Sequence, residues 1–379
     1  MSELGARWDP MVDERFVHRV RAFTAERIAP DADRIDREDV YPVEIMRALA
    51  REGFSAIFMP EQLGGGGQSH RHALTVFEEV SYASAAVGIS LITVLQAQTI
   101  LRLFGNPGLQ ARYLPKLASG LLASYALTEA NHGSDIRTLD TSASFDGNNW
   151  VLNGEKSFIT SGSAAEFFII LAQTAKGVSA FAVPRDLPGV STYEGSNSAT
   201  FGLRNGPHIN LVLKDVAIPE DHLIGEDGKG VRAAVTTLDY SRTMAAGISM
   251  GIARAAFDQA LERATHRVVF DEKVIQKQGI QWYFADMLTR IDAARLLNAR
   301  AADALDAGVD LSRYPSEAKL FAAKTATDVA SLCVQICGAY GVMESAPYGR
   351  YLRDAKAYEI AGGSPETLKN TLAKAIQKF

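Results

Sequence analysis

The chain has 379 residues, 47% of them hydrophobic and 22% charged, with a formal net charge of −5. That length suffices for a sizeable buried core and points to two or three domains. The acidic balance gives no long-range attraction to nucleic acid or an anionic membrane, so neither is expected as a partner.

No apolar run is read as reaching the roughly 18–20 residues that span a bilayer. The N-terminus, MSELGARWDP, has neither a basic-then-apolar signal nor an Arg/Ser-rich transit pattern. The expected location is the cytoplasm.

Residues 11–120 read as helices. Phe16, Val17, Val20 and Phe23 recur on one helical face, with Asp9-Pro10 as the start signal. The run Gly64 to Gly67 reads as a flexible turn. It is no phosphate cradle, because no clear strand precedes it and the P-loop lysine is missing. His70 and His72 beside it are expected to be solvated. A second helical stretch runs from about Ala73 to Phe104 and stops before Asn106-Pro107.

The pattern changes near Tyr125. Residues 149–160, 166–174, 178–184 and 208–219 are β-rich and are separated by the turn signals DGNN, AKG, RDLPG and EDGKG. They predict a compact antiparallel unit ending near Gly230. From Arg232 the pattern is helical again, with Ile280, Phe284, Met287 and Ile291 on one face and a further helix from Leu320 to Cys337. Cys333 and Cys337 have no further zinc ligands nearby and are read as small buried residues in a reducing compartment. Helices, strands, then helices predict an α+β fold with a strand domain between two helical ones, not βαβ repeats. The expected boundaries are 1–122, 123–231 and 232–379.

Five segments concentrate polar and glycine residues: YALTEANHGSD (125–135), KSFITSG (156–162), LDYSRTMAAG (238–247), RVVFDEKVIQKQGIQWYFADM (267–287) and RDAKAYEIAGGSPE (353–366). Singly, each has a plain reading. Thr-Glu followed by Gly-Ser-Asp can be an Asx-type turn. Asp239 and Arg242 can be a helical i, i+3 ion pair, and Phe284 with Met287 a buried helix face.

In this order the segments resemble the acyl-CoA dehydrogenase family, over nearly the whole chain from about Phe16 to Lys374. The resemblance implies an N-terminal helical domain, a central antiparallel β-barrel-like domain and a C-terminal four-helix bundle, with FAD as cofactor. It implies that Tyr125, Leu127 and Thr128 border the flavin, Thr128 bonding its pyrimidine edge. Gly133 and Ser134 would let the chain approach the pyrophosphate and the thioester, Phe158 would pack on the isoalloxazine, and Thr160 would bond the hydride-accepting nitrogen. Fixed donors around a ring that gains charge favour its reduced form.

In the family, residues matching Arg267, Phe270, Gln278, Gln335 and Gly338 reach the FAD of a neighbouring subunit, which implies a homo-oligomer, a tetramer or a dimer. Asp271 departs from the usual glycine, and Ala339 follows Gly338 where a second glycine is common. Ser364 and Glu366 fall in the cofactor-binding end of the pattern. Asp239, Ser241, Arg242, Gln96, Gly363 and Ser134 are implied on the substrate side, with an acyl-CoA or an acyl-carrier protein as substrate and an electron-transfer flavoprotein as an acceptor. Gln96 and Gln98 point to a polar acyl group, with a pocket floor near residues 93–99, Ala361 and Gly362.

The family's catalytic glutamate falls on Gly362. Its other known position, directly before the arginine of the LDYSR segment, holds Ser241. Both places for a carboxylate base are therefore empty. A positioned base supplies roughly 10²–10⁴-fold, and an unaided serine does not replace it. The backbone N–H of Gly362 would still hydrogen-bond the thioester carbonyl, a donor of the kind worth about 2.7–4 kcal/mol. Four readings follow: a base from elsewhere, with Tyr240 or a water oriented by Gln96 as candidates; an α-anion formed by loss of sulfinate or carboxylate, as in a desulfinase branch with a similar IAGG segment; flavin-dependent oxygen chemistry; or a binding homologue without turnover.

Overall fold

The structure is a computed structural model and describes residues 8–195 and 198–377. The N-terminal part is helical: α1 (Glu14–Phe23), α2 (Ala32–Glu38), α3 (Val43–Arg51), α4 (His70–Ala83), α5 (Ala85–Phe104) and α6 (Pro107–Ala118). Helix α1 begins at Asp13, not at Asp9-Pro10. The Asp13 carboxylate accepts the Phe16 N–H at 2.9 Å, satisfying a donor that a helix start leaves orphaned. The stretch expected over 73–104 is two helices. Ser84 turns extended (φ −151°, ψ 110°), and its hydroxyl accepts the Val87 N–H to start α5.

The glycine run is packed, not loose. A Cβ on Gly65 would stand 2.2 Å from the Met59 carbonyl oxygen, so only glycine allows that approach. His70 is buried, and its backbone N–H and Nδ1 both meet Asp306, at 3.0 and 2.5 Å. The expectation of a solvated histidine fails here, because α4 lays this residue against the C-terminal domain.

Eight strands follow: β1 (Ala123–Ala126), β2 (Ser142–Phe145), β3 (Asn149–Ile159), β4 (Phe167–Thr174), β5 (Gly177–Pro184), β6 (Val190–Glu194), β7 (Ile209–Pro219) and β8 (Leu223–Ile224). They form one sheet in the order β6-β7-β3-β2-β4-β5-β8, with β1 added on β4. Pairing is antiparallel except for β1–β4 and β2–β4, which are parallel. The sheet is thus mixed, not purely antiparallel as the strand pattern suggested. Trp150, Leu152, Phe168, Ile170, Phe181 and Leu211 form its own core.

The rest is helical: α7 (Gly230–His266), a small ribbon of β9 (Val268–Val269) and β10 (Glu272–Lys273), then α8 (Gln278–Ala307), α9 (Arg313–Cys337), α10 (Tyr348–Ile360) and α11 (Pro365–Ile376). Helices α7 to α10 pack as a bundle and α11 lies on α9. Phe284, Met287 and Ile291 are buried in it, and Cys333 and Cys337 are buried and free.

A buried ionic cluster ties α4 to the bundle. Arg254 meets Glu78 at 2.5 Å and Glu79 at 3.0 Å, and Arg295 meets Glu78 at 2.9 Å. Two segments, Ala85–Phe104 and Arg313–Val342, are long and apolar enough to cross a membrane, contrary to the reading of the sequence. Of their apolar windows, 78% and 44% are buried inside the fold. Helix α5 is a core helix packed on α4, α7 and β1.

Candidate active site

Four of the five polar segments converge on one cavity of about 190 Å³. Helix α5 contributes Ile89, Ile92, Thr93 and Gln96, and α7 contributes Leu238, Ser241 and Ala245. The sheet side supplies Tyr125, Leu127, Thr128, Phe158 and Thr160, and the end of α10 supplies Tyr358, Ala361 and Gly362. The α5 wall runs from Ile89 to Gln96, not over 93–99. Gln98 and Thr99 are fully buried outside this cavity lining, because a helix turns positions 96 and 98 to different faces.

The sheet side is held by a pair that the sequence reading passed over. Lys156 Nζ lies 2.8 Å from Glu129 Oε1, with side chains 0% and 3% exposed. Glu129 also accepts the N–H groups of Asp140 (2.6 Å) and Thr141 (3.0 Å). Lys156 donates to the Leu127 carbonyl at 3.3 Å, and the Ser157 N–H donates to Thr128 O at 2.9 Å. The YALTE and KSFIT segments are therefore one hydrogen-bonded unit. Burial raises the Glu129 pKa, but Lys156 and the N–H donors outweigh it and hold the carboxyl below its ordinary value. The available signal was a lysine inside a strand pattern, which must find a partner when buried. Glu129, His132 and Asp140 also stand within 4.8 Å of one another, but the Glu129 oxygens are already spent on Lys156 and the two N–H groups.

Phe158 takes φ +57° and Ser161 φ +61°, a conformation that costs a non-glycine residue about 1–2 kcal/mol. Phe158 is 52% exposed and lines the cavity with Thr128 and Thr160. Thr160 Oγ1 is 3.3 Å from His208 Nε2, and burial lowers the His208 pKa below its ordinary value. Gly133 and Ser134 are exposed, and a Cβ on Gly133 would meet nothing within 4 Å. Neither lines the cavity. A flat apolar ring between two threonine hydroxyls has the chemistry to face a flavin ring.

Arg267, Phe270, Gln278, Gln335 and Gly338 do not reach this cavity. All five are exposed, Phe270 at 89%. Asp271 has φ +60°, so it occupies a left-handed turn that glycine would take without cost. Ser364 instead caps α11, accepting the Thr367 N–H, and Glu366 is exposed in the first turn of that helix.

The turn between α10 and α11 carries Gly362 (φ +71°) and Gly363 (φ +114°). Lys319, 1% exposed, donates to the carbonyls of Glu359 (2.9 Å) and Gly363 (2.7 Å) on either side of Gly362. Burial, with help from Arg242, lowers the Lys319 pKa to about 7. Arg242 meets Asp239 at 2.5 Å, and its Nε lies 3.7 Å from the Cβ position of Gly363. Both side chains are buried, and burial raises the Asp239 pKa to about 6 against the pull of Arg242. Neither lines the cavity.

Among the described residues no Asp, Glu, His or Lys side chain lines the cavity. Ser241 donates to Leu238 O at 3.0 Å and accepts from Gln96 Nε2 at 3.3 Å. Tyr240 is not in the lining either. Its ring packs 5.5 Å from His70 and under Arg102, so it is no candidate base. Burial raises the Tyr125 and Tyr358 pKa values above the ordinary phenol range.

Comparison with known proteins agrees with this geometry. Family models described as the N-terminal, middle and C-terminal domains of acyl-CoA dehydrogenase match residues 12–121, 124–216 and 228–377. An acyl-CoA dehydrogenase of Bacillus subtilis (strain 168) is 37% identical over 365 residues, covering 94% of this chain and 96% of its own. The structure of butyryl-CoA dehydrogenase from Megasphaera elsdenii is 31% identical with a TM-score of 0.93, over 98% of both chains. A chain in the structure of the electron transferring flavoprotein of Acidaminococcus fermentans is 29% identical with a TM-score of 0.94, over 98% of this chain and 100% of that one. The chain belongs to the acyl-CoA dehydrogenase family, whose members are FAD-dependent flavoenzymes that act on the CH–CH bond of acyl thioesters.

Proposed function

We propose that this protein binds an acyl thioester, linked to CoA or to a carrier protein, against FAD and transforms it without a carboxylate base at either usual place. The observation that carries this reading is a cavity joining Thr128, Phe158 and Thr160 to Gly362 with, among the described residues, no titratable side chain other than the phenols of Tyr125 and Tyr358. Bound FAD would supply the hydride acceptor.

The chain's own groups would do the rest. Thr128 and Thr160 would orient the ring, and Phe158 would cover it. The Gly362 N–H has no protein acceptor among the described residues and would donate to the thioester carbonyl, stabilising negative charge as the α-carbon becomes anionic. Proton removal then falls to a water or to the substrate itself. Where the acyl group leaves the free side of Gln96 open, that side chain would orient such a water. The same lack of a base serves a second reading, in which the α-anion forms by loss of a leaving group such as sulfinate or carboxylate.

Two partners follow from the same reading. An electron-transfer flavoprotein is an acceptor in keeping with the Acidaminococcus likeness. A homo-oligomer, with a tetramer favoured, would turn Arg267, Gln278 and Gln335 toward a neighbour's cofactor. It would also cover Trp282 and Leu296, which are 62% and 73% exposed.

The test is anaerobic stopped-flow mixing of the holoprotein with a panel of acyl-CoAs. Flavin bleaching with enoyl product supports dehydrogenation by a base outside the side chains of Gly362 and Ser241. Spectral perturbation without bleaching favours leaving-group loss. No perturbation by any thioester overturns the proposal.

A further inference from the structure

Helix α5 presents Ile89, Ile92, Thr93 and Gln96 to the cavity at i, i+3, i+4 and i+7, the spacing of one helix face. Two hydroxyls on the cavity walls are spent on their own helices: Thr93 donates to Ser90 O at 2.9 Å and Ser241 to Leu238 O at 3.0 Å. Gln96 differs. Its single bond crosses the cavity to α7, from Nε2 to Ser241 Oγ at 3.3 Å. A carboxamide carries two N–H donors and an acceptor oxygen. The Gln96 Oε1 and second N–H have no protein partner among the described residues.

Apart from Thr93 and Ser241, whose hydroxyls donate within their own helices, the α5 and α7 walls are apolar: Ile89, Ile92, Leu238 and Ala245. A plain hydrocarbon chain would cover the free amide groups and leave them unpaired, at a cost of about 1–3 kcal/mol. A charged acyl group would find no counter-ion in the lining, since among the described residues no charged side chain lines the cavity. The space is also small. Its volume of about 190 Å³ includes the Phe158 and Thr160 edge, where the flavin would lie, and falls below the 300–1,000 Å³ typical of ligand pockets.

Given the thioester reading above, on which this rests, we infer that Gln96 selects a short acyl group with a neutral hydrogen-bonding substituent, such as a hydroxyl, oxo or amide. The substituent pairs with the free side of the Gln96 carboxamide while Ser241 holds the other side in place. Gln96 is then a specificity residue. It discriminates by hydrogen bonding, which rejects an analogue lacking the polar group more sharply than an apolar pocket rejects one extra methylene.

The experiment is an anaerobic binding titration of the FAD-loaded protein, read by flavin absorbance. The probes are butyryl-CoA, 3-hydroxybutyryl-CoA, 4-hydroxybutyryl-CoA and succinyl-CoA, which share a four-carbon acyl length. One hydroxylated thioester is expected to bind about 10-fold tighter than butyryl-CoA, and succinyl-CoA weakest, the factor being that of one net hydrogen bond. Gln96→Leu, checked for unchanged FAD content, is expected to abolish or invert the hydroxyl preference. Two results overturn the inference: a wild-type preference for butyryl- or succinyl-CoA, or a hydroxyl preference that survives in Gln96→Leu. If no thioester perturbs the flavin, the thioester reading itself fails, and this inference with it.

Discussion

Lys319 Nζ donates to the Gly363 carbonyl at 2.7 Å while also holding the Glu359 carbonyl at 2.9 Å. One buried amine therefore pins both sides of Gly362, a residue whose own Cβ position has nothing within 4 Å. Without that clamp, two successive glycines at positive φ would be free to reorient the Gly362 N–H. Lys319→Met should therefore retain FAD yet weaken the flavin spectral response to an acyl thioester by about 10-fold in Kd, the scale of one or two hydrogen bonds. An unchanged Kd would show that the turn holds itself.

The same lysine gives a pH signature. Burial lowers its pKa from 10.5 to about 7 in the folded chain. Between those values the unfolded chain binds more protons than the folded one, so stability rises with pH across that window. Below about pH 7 both states are protonated and the slope vanishes. The slope reaches up to about 1.4 kcal/mol per pH unit. Chemical denaturation from pH 6 to 10 should show this contribution in the wild type and its loss in Lys319→Met.

Gly362→Glu tests the proposal that Gly362 stands where a carboxylate base would act. Nothing crowds a side chain there, but φ is +71°, so about 1–2 kcal/mol of strain is expected. The melting temperature should fall by a few degrees. A carboxylate now faces the cavity, and anaerobic flavin bleaching by a saturated acyl-CoA should rise by roughly 10²–10⁴-fold. A variant that binds the thioester but bleaches no faster would mean that Gly362 does not stand at the reacting carbon.

Phe158→Gly should move stability and cofactor affinity in opposite directions. It removes a non-glycine residue from φ +57° together with the aromatic ring of a residue that is 52% exposed. The FAD-free protein should melt higher, reflecting about 1 kcal/mol of relieved strain offset in part by glycine's unfolded-state entropy. FAD should dissociate more readily, by equilibrium dialysis. A variant that keeps wild-type FAD affinity would remove Phe158 from the flavin site.

Glu129→Gln leaves Lys156 buried without its counter-charge, a change worth about 3–5 kcal/mol. Soluble yield and FAD content should both drop sharply. The folded-state pKa of Glu129 lies below its ordinary 4.5. The stabilisation is therefore full above that value and is lost as pH falls through the folded pKa. Acid unfolding monitored by circular dichroism should lose this component in Glu129→Gln.

Much of this protein was determined by sequence alone. The change from helical to strand periodicity near Tyr125 and back near Gly230 set the order of layers. The segments at 125–135, 156–162, 238–247 and 353–366 named most of the cavity lining, because local patterns carry turns, glycines and hydrogen-bonding residues in fixed order. The same resemblance raised the expectation that Gly362 and Ser241 stand where a carboxylate would otherwise be.

Tertiary structure decided what depends on residues far apart in the chain. Lys156 finds Glu129, Lys319 finds Gly363, and His70 finds Asp306 only after folding, and no local period announces a partner 27, 44 or 236 positions away. Helical phase, not composition, put Gln96 in the cavity and left Gln98 and Tyr240 outside it. A buried polar group takes its role from what it faces, and facing is fixed only when the helices and the sheet pack together.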